Sequence, residues 1–243
     1  MASDRPLQLH HHPVSLYSRR VLYALAYKGV AAELVLVDLA HPSQRFLEVS
    51  STKKIPAAVV WKGGQEFHLA ESLRIMEYVD SEYHGPALYP KELNGSVDAL
   101  KKARIDADVV NYVDGLVAKL IPFIEQRASA KDVADAKASL AKLNSDFLTN
   151  GHNFAHRLMD SYDHITIADI ALLPVIEVVS AFRSSLFVEI LNQDLAGLWS
   201  WFERLRTQPW AARHYLGEQA ARNYLHMRGS GHNKLTLPVS LYL

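Results

Sequence analysis

The chain has 243 residues, of which 49% are apolar, so it can form one large domain or two small domains with a buried core. Lysine plus arginine and aspartate plus glutamate both total 26, and this zero net charge gives no electrostatic case for nucleic acid or an acidic membrane as partner. Cysteine is absent, which excludes disulfides, zinc–thiolate sites and a cysteine nucleophile. No signal-peptide core or long apolar run is present, so we expect a cytoplasmic protein.

Residues 1–84 have the alternating pattern of a small α/β domain. Residues 7–11 alternate as a strand, and a helix then begins at Leu16 and ends at a C-cap glycine, Gly29. The segment AELVLVDL predicts a second strand, and SQRFLEVS predicts a short helix. A hairpin with its turn at Gly63–Gly64 and a third helix, SLRIMEYVDSEY, complete the domain. A helix joins the first two strands, so we expect these to be parallel and the hairpin strands to be antiparallel.

The remainder of the chain is predicted to be helical. A linker rich in proline and glycine occupies residues 85–93, an all-helical domain residues 94–228, and a flexible, partly apolar tail residues 229–243. One apolar stripe ends at Pro122 and consists of Val109, Val113, Leu116 and Leu120. The segments LAGLWSWFERLR and PWAARHYLGEQAARNYL each predict a helix, and Thr166 and Asp169 have the spacing of a capping box.

Two groups of histidines do not predict a metal site. His10 and His12 share a strand face, but no acidic or cysteine partner is evident beside them. His152 and His156 have the spacing of a zinc-binding helix, yet they lack the glutamate of the protease motif and lie beside Gly151, which favours a loop.

Four motifs, in this order, resemble those of the cytosolic glutathione transferases, and the resemblance spans about residues 7 to 225. They are SLYSRRV after the first strand, KKIP before the third strand, AES at the third helix and TIADIALLP in the second domain. The resemblance implies an α/β thioredoxin-like N-terminal domain followed by an all-α C-terminal helical domain. It also implies a detoxification enzyme of the serine type, theta-like or zeta-like, with glutathione as co-substrate.

The motif SLYSRRV places the activating residue of such an enzyme at Ser15. Its hydroxyl would donate a hydrogen bond to the glutathione sulfur, and the N-terminus of the following helix would add partial positive charge. Both effects favour the thiolate. Two alternatives stay open from the residues alone: Tyr17 is also a donor, and Ser15 has the residue type of a simple helix cap.

The other glutathione-binding residues are implied by the KKIP and AES motifs. Ile55–Pro56 would be a cis junction at which the backbone of Ile55 pairs with the cysteine residue of glutathione, the alternative being an ordinary trans proline. Ser72 suits the γ-glutamyl carboxylate and Glu71 its ammonium group, although both also suit a helix cap. His41 and Lys54 would lie near the glycine carboxylate of glutathione.

The second substrate is expected to be a small hydrophobic electrophile. Its predicted pocket is lined by Tyr17, Tyr112, Leu116, Phe182 and Arg183, although core packing explains the apolar stripe equally well. The resemblance further implies a homodimer. A glutathione-dependent isomerase like maleylacetoacetate isomerase is one alternative, although Leu16 and Tyr17 stand where that kind carries Ser-Cys. A non-catalytic assembly module is another, whereas an omega-like thiol transferase is excluded by the lack of cysteine.

Overall fold

The computed structural model of this chain describes residues 5–92, 94–125, 127–148, 152–154, 164–181, 195–229, 235–236 and 239. Two compact units are present, one formed by Met1–Pro86 with His232–Leu243 and the other by Ala87–Gly231. The chain end thus belongs with the first unit, whereas the sequence pattern set it apart as a tail. The predicted domain boundaries themselves remain predictions.

A four-stranded sheet forms the centre of the first unit, with the strand order β2-β1-β3-β4. The strands are β1 (Leu7–His11), β2 (Ala32–Leu36), β3 (Ala57–Lys62) and β4 (Gln65–Ala70). β1 pairs with β2 in parallel and with β3 antiparallel, and β3 and β4 form the predicted hairpin. Gly63 and Gly64 have φ of 60° and 79°, which a tight primed turn requires.

Among the described residues of this unit are the helices α1 (Leu16–Lys28), α2 (Gln44–Val49) and α3 (Ser72–Glu82). α1 ends where predicted, because Gly29 takes the left-handed conformation, φ 68°, that a C-cap favours. Together these elements confirm the predicted α/β architecture of the N-terminal region.

The two faces of the sheet have separate apolar cores, as alternation along each strand requires. On one face Phe46 and Val49 of α2 pack against Ala57 and Val59 of β3. The other face, with Leu9 opposite Ala58, is covered by α3, against which α1 packs.

A buried ion pair connects the ends of α1 and α3. Lys28 Nζ lies 2.8 Å from Asp80 Oδ1, and the two side chains are only 2% and 4% exposed. Lys28 also donates to the carbonyl oxygen of Pro86 at 3.2 Å. These acceptors compensate a charge that would otherwise be costly to bury.

The second unit is helical, which confirms the predicted all-α region. Its described residues form the α-helices α4 (Ala99–Asp108), α5 (Gly115–Ile124), α6 (Ala130–Leu143), α7 (Ile167–Ala181), α8 (Ala196–Arg206), α9 (Pro209–Ala212) and α10 (Glu218–Gly229). Two π-helical segments, Val109–Asp114 and Asn144–Leu148, follow α4 and α6.

Pro122, at the end of the predicted apolar stripe, lies inside α5, which continues to Ile124. One sequence prediction about this unit was wrong. The segment PWAARHYLGEQAARNYL is not one helix, because α9 ends at Ala212 and α10 begins only at Glu218. Gly217, with φ 79°, supplies the left-handed backbone between them.

Asp169 organises the interior of the second unit. Its carboxylate accepts the backbone N–H of Thr166 at 2.9 Å, which is the predicted reach back to the start of α7. It also accepts the N–H of Phe154 at 3.1 Å and the indole N–H of Trp201 at 2.9 Å. Burial raises the pKa of this fully buried carboxyl group, and the four hydrogen bonds to it act in the opposite direction.

Within the described residues, no helix has the length and apolar character needed to cross a membrane.

Candidate functional site

Four chain segments lie close together at one end of the sheet. His11 at the end of β1 is in register with Leu36 at the end of β2. Next to them His10 pairs with Ala57, the first residue of β3, and Ala57 pairs with Ala70, the last residue of β4. We call this the site end of the sheet. The segments that flank it carry all the predicted glutathione-site residues, namely Ser15, His41, Lys54, Ile55, Pro56, Glu71 and Ser72.

Ser15 is the N-cap of α1. Its backbone is extended, its Oγ accepts the backbone N–H of Ser18 at 3.3 Å, and the residue is 8% exposed. The cap interpretation is therefore confirmed. It does not compete with the donor role, because a cap uses a lone pair of the hydroxyl oxygen and leaves the hydroxyl hydrogen for another acceptor.

Tyr17 lies within the first turn of α1 and not at its cap. The residue is 40% exposed, and the guanidinium carbon of Arg20 lies 4.7 Å from the centre of its ring. A cation this close to the ring face holds the ring by a cation–π interaction.

The loop before β3 is shaped by Ser50. Its hydroxyl donates to the carbonyl oxygen of Lys54 at 2.8 Å and lies 3.1 Å from the backbone nitrogen of Lys54, which donates to it. Ser50 is fully buried, whereas Lys54 is exposed. The Ile55–Pro56 peptide is cis, as the sequence motif predicted. The bracing role of Ser50 was missed, although a serine four residues before Lys54 in a turn is a recognisable signal.

Glu71 has an unusual backbone at the start of α3. Its φ of 67° and ψ of 119° are rare for a residue with a side chain, and its side chain makes no capping hydrogen bond. Glu71 is therefore the N-cap of α3 by position, and its carboxylate takes no part in capping. Ser72 is the first residue of the helix and is 5% exposed. Strained backbone of this kind is concentrated at functional sites.

His41 lies in the loop after β2, with its side chain 86% exposed. Asp38 shapes this loop, because its Oδ1 accepts the backbone N–H groups of Ala40 at 2.8 Å and His41 at 3.1 Å. The other carboxylate oxygen lies 3.5 Å from Nδ1 of the His41 ring.

The remaining pocket residues belong to the second unit. The hydroxyl of Tyr112 donates to Asp146 at 3.1 Å, and its ring meets Phe147 edge to face with 4.6 Å between centroids. Leu116 is 1% exposed and belongs to the apolar core of that unit. Phe182 and Arg183 lie outside the described residues.

In the part of the chain that the structure describes, no group of three or more histidine, cysteine, aspartate or glutamate side chains could hold a metal ion. His10 instead packs beside Phe46, with 6.0 Å between ring centroids, and its Nε2 lies 3.0 Å from Gln8 Oε1. Burial lowers the pKa of His10 and of His12.

Comparison with known proteins matches residues 9–87 to the family described as glutathione S-transferase, N-terminal domain. Glutathione S-transferase U10 of Arabidopsis thaliana is 28% identical over 204 residues, which are 82% of each chain. A probable glutathione transferase of Aplysia californica is 34% identical over 76 residues, which are 31% of this chain and 78% of that protein. A stringent starvation protein A homolog of Haemophilus ducreyi is 28% identical, over 66% of this chain and 69% of that protein.

The fold is similar to that of rice GST1, which was solved in complex with glutathione. The TM-score is 0.75 at 20% identity, over 95% of this chain and 99% of the rice chain. At this identity the likeness concerns the fold, which has the predicted order of an α/β region and a helical region.

Proposed function

This chain is a member of the cytosolic glutathione transferase superfamily, and we propose that it works as a serine-type transferase in which Ser15 stabilises the glutathione thiolate. The observation that carries the proposal is the register of the sheet. It brings the ends of β1, β2 and β4 and the start of β3 to one place. At that place α1 and α3 begin, so two helix N-termini are available to an anionic tripeptide.

Thiolate formation is the first task of such an enzyme. A cysteine thiol has a pKa of about 8.5, so most of it is protonated at neutral pH. The hydroxyl hydrogen of Ser15 would donate to the sulfur while its oxygen caps α1. Together with the N-terminus of α1 this donor would lower the thiol pKa, and each unit corresponds to about 1.4 kcal/mol. The thiolate would then attack an electrophilic carbon. A carbon–sulfur bond forms while the bond from that carbon to a leaving group such as chloride, or to an epoxide oxygen, breaks.

Binding of the tripeptide is the second task. Glu71 would pair with the ammonium group of the γ-glutamyl residue, and its carboxylate is not engaged in capping. Ser72, at the first turn of α3, would hold the adjoining carboxylate. The backbone of Ile55 next to Pro56 would align the cysteine residue of glutathione, as a strand aligns with its neighbour. Lys54 and His41 supply exposed basic side chains for the glycine carboxylate.

We propose that the electrophile is small and apolar. We also propose that the enzyme belongs to the theta-like or zeta-like subtype of the transferases. The subtype rests on the serine motif and on the position of His41. Tyr17 is part of the proposed pocket because it is partly exposed and lies two residues after Ser15. Tyr112, Leu116, Phe182 and Arg183 of the second unit stay sequence predictions for this pocket. A homodimer is proposed from family membership, and light scattering at micromolar protein would test it.

The main alternative is a non-catalytic module with the same fold. The observation that favours it is the similarity to a stringent starvation protein A homolog, whose name is not that of a transferase. A glutathione-dependent isomerase is the second alternative. It would keep the glutathione site and differ in releasing glutathione unchanged.

The decisive experiment combines binding with turnover. Titration calorimetry with glutathione should show saturable binding, and glutathione should raise the unfolding midpoint by mass action. Chloroaromatic, epoxide, peroxide and isothiocyanate substrates would then test transfer, and maleylacetoacetate would test isomerisation. Binding without any turnover would favour the module, and no binding at millimolar glutathione would contradict the proposal.

A further inference from the structure

The chain end is hydrogen-bonded to the first unit at Leu235 and Thr236. The backbone N–H of Leu39 donates to the carbonyl oxygen of Leu235 at 2.8 Å, and Leu235 is 7% exposed. The carbonyl oxygen of Thr236 lies 3.0 Å from Nε2 of His12. The sequence analysis predicted a flexible tail here, and Leu235 and Thr236 make these specific contacts within it.

The hydrogen bond to the carbonyl oxygen of Thr236 determines which nitrogen of the His12 ring carries a hydrogen. A carbonyl oxygen can only accept, so Nε2 of His12 carries a hydrogen and donates it. Burial is the largest influence on the pKa of His12 and lowers it, while Thr236 and the charge of Asp38 act in the opposite direction. His12 is fully buried. The ring is therefore a neutral donor at neutral pH, held in one orientation by the chain end.

The backbone of the same residue connects to the helix cap. The carbonyl oxygen of His12 accepts the N–H of Ser15 at 3.0 Å. The N–H of His12 donates to Oγ of Ser18 at 3.4 Å, and the N–H of Ser18 in turn donates to Oγ of Ser15. His12 thus contacts the chain end through its ring and both cap residues through its backbone.

We propose that the chain end around Thr236 is a positioning segment, which acts through His12 to hold the turn that carries Ser15. The inference rests on the proposed function, in which the Ser15 hydroxyl donates to the thiolate. A donor of this kind must be held near its target, and a displacement of about 1 Å can reduce the rate about a hundredfold. The hydrogen bonds from Thr236 through His12 to Ser15 supply such support from a segment 224 residues away in sequence.

Two variants break the connection at different points. His12→Phe keeps a ring of similar size but removes the donor to Thr236. A chain that ends at Gly231 removes Leu235 and Thr236 altogether. Two controls match them: His84→Phe changes an exposed histidine, and a chain that ends at Ser240 keeps Leu235 and Thr236.

The ultraviolet absorbance of bound glutathione thiolate as a function of pH is the first measurement. In both test variants we expect the pKa of the bound thiol to rise by about one unit. This corresponds to an about tenfold smaller ratio of thiolate to thiol at a given pH. We expect kcat to fall by about ten- to a hundredfold, with little change in the affinity for the protonated form of glutathione. The controls should behave as the unaltered protein.

Hydrogen exchange is the second measurement, and it needs no glutathione. The amides of Ser15 and Ser18 should exchange at least about tenfold faster in both test variants, because local opening of the turn becomes easier. If the shortened chain does not fold, His12→Phe alone carries the test. Adding a peptide of residues 230–243 to the shortened chain should restore slow exchange.

The two proposals fail in different ways. Lower unfolding midpoints in the test variants, with the thiol pKa and the exchange of Ser15 and Ser18 unchanged, would overturn the positioning role and leave a purely structural one. No bound thiolate in the unaltered protein would contradict the proposed function. In that case the exchange rates of the Ser15 and Ser18 amides still test the positioning role. Faster exchange in the test variants supports it, and unchanged exchange overturns it.

Discussion

The hydroxyl oxygen of Ser15 accepts the backbone N–H of Ser18 at 3.3 Å, so the residue proposed to stabilise a thiolate is also the cap of α1. One side chain serves both purposes, since oxygen accepts on one side and its hydrogen donates on the other. A serine in this place has a structural and a chemical contribution, and a substitution must be chosen to separate them.

Ser15→Ala should lower turnover and raise the thiol pKa of bound glutathione while changing the affinity for the protonated form little, because the hydroxyl would contact only the sulfur. Loss of one donor to a resident anion in a dry site costs about 2.7–4 kcal/mol and less in a wet one. Loss of the cap should lower the free energy of unfolding by about 1 kcal/mol. Thiolate absorbance and urea unfolding measure the two effects separately.

Tyr17→Phe is the matched control for that substitution. It removes a hydroxyl two residues after Ser15 and keeps the ring beside Arg20. We expect the thiolate absorbance to stay as in the unaltered protein. Loss of thiolate in Tyr17→Phe but not in Ser15→Ala would contradict the proposal. It would mean that the activating position of the motif SLYSRRV is Tyr17, two residues after Ser15.

Glu71→Gly should weaken glutathione binding without weakening the fold. The carboxylate is lost, and with it a charge-assisted hydrogen bond of about 1.5–3 kcal/mol. The backbone strain at φ 67° is relieved at the same time, because glycine adopts this conformation at little cost. Calorimetric titration should therefore show a higher Kd, whereas the unfolding midpoint stays level or rises.

Lys53→Gly provides the comparison for Glu71→Gly, since Lys53 also has a positive φ, 56°. It should relieve strain in the same sense and leave the Kd for glutathione unchanged. Equal weakening of binding in both variants would show that the backbone conformation, and not the Glu71 carboxylate, is what glutathione requires.

Local sequence patterns predicted most of the first unit, because its elements are short and sharply bounded. Gly29, Gly63 and Gly64 mark turns that need positive φ, and the KKIP motif predicted the cis peptide at Pro56. The bracing of Lys54 by Ser50 also depends on neighbours in sequence, so it could have been found.

Long-range partners could not be predicted in the same way. The indole N–H of Trp201 donates to Asp169, which is 32 residues earlier in the sequence. The carbonyl oxygen of Thr236 accepts from the ring of His12, which is 224 residues earlier. No local pattern encodes such pairs, because they depend on how the chain folds back. Pro122 lies inside α5 for a related reason: packing of the apolar residues around it, such as Leu120 and Phe123, stabilises a helix that intrinsic propensity would end.

Asp80→Asn should destabilise the first unit strongly. It leaves the Lys28 ammonium buried without its carboxylate, and breaking a buried pair by removing one partner costs about 3–5 kcal/mol. Urea unfolding followed by circular dichroism measures the loss. The comparison is Asp135→Asn, which removes the partner of Lys131 in a pair whose side chains are 82% and 46% exposed, and there we expect no resolvable change.

The double variant Lys28→Met, Asp80→Leu tests why the single change is costly. If the cost comes from the uncompensated charge, replacing both partners should recover much of the loss, because two apolar side chains need no ionic partner. A double variant as unstable as Asp80→Asn would instead assign the loss to the packing between α1 and α3.

His10→Gln should make the stability of the protein less sensitive to acid. Burial, and secondarily the charge of Arg45, lowers the pKa of His10 in the folded state. In the unfolded chain His10 binds a proton near the ordinary histidine pKa of about 6.5. In the folded chain His10 binds a proton only at lower pH. The contribution of neutral His10 is therefore complete above about pH 6.5 and is lost as the pH falls toward the folded pKa.

Urea unfolding from about pH 7.5 down to about pH 5.5 brackets that ordinary histidine pKa. The loss of unfolding free energy over this range should be smaller in His10→Gln than in the unaltered protein. It should not vanish, because burial also lowers the pKa of His12. His84→Gln changes an exposed histidine and should leave the slope as it was. An equal slope in His10→Gln would show that His10 binds its proton equally well in the folded and unfolded chain, contrary to its burial beside Phe46.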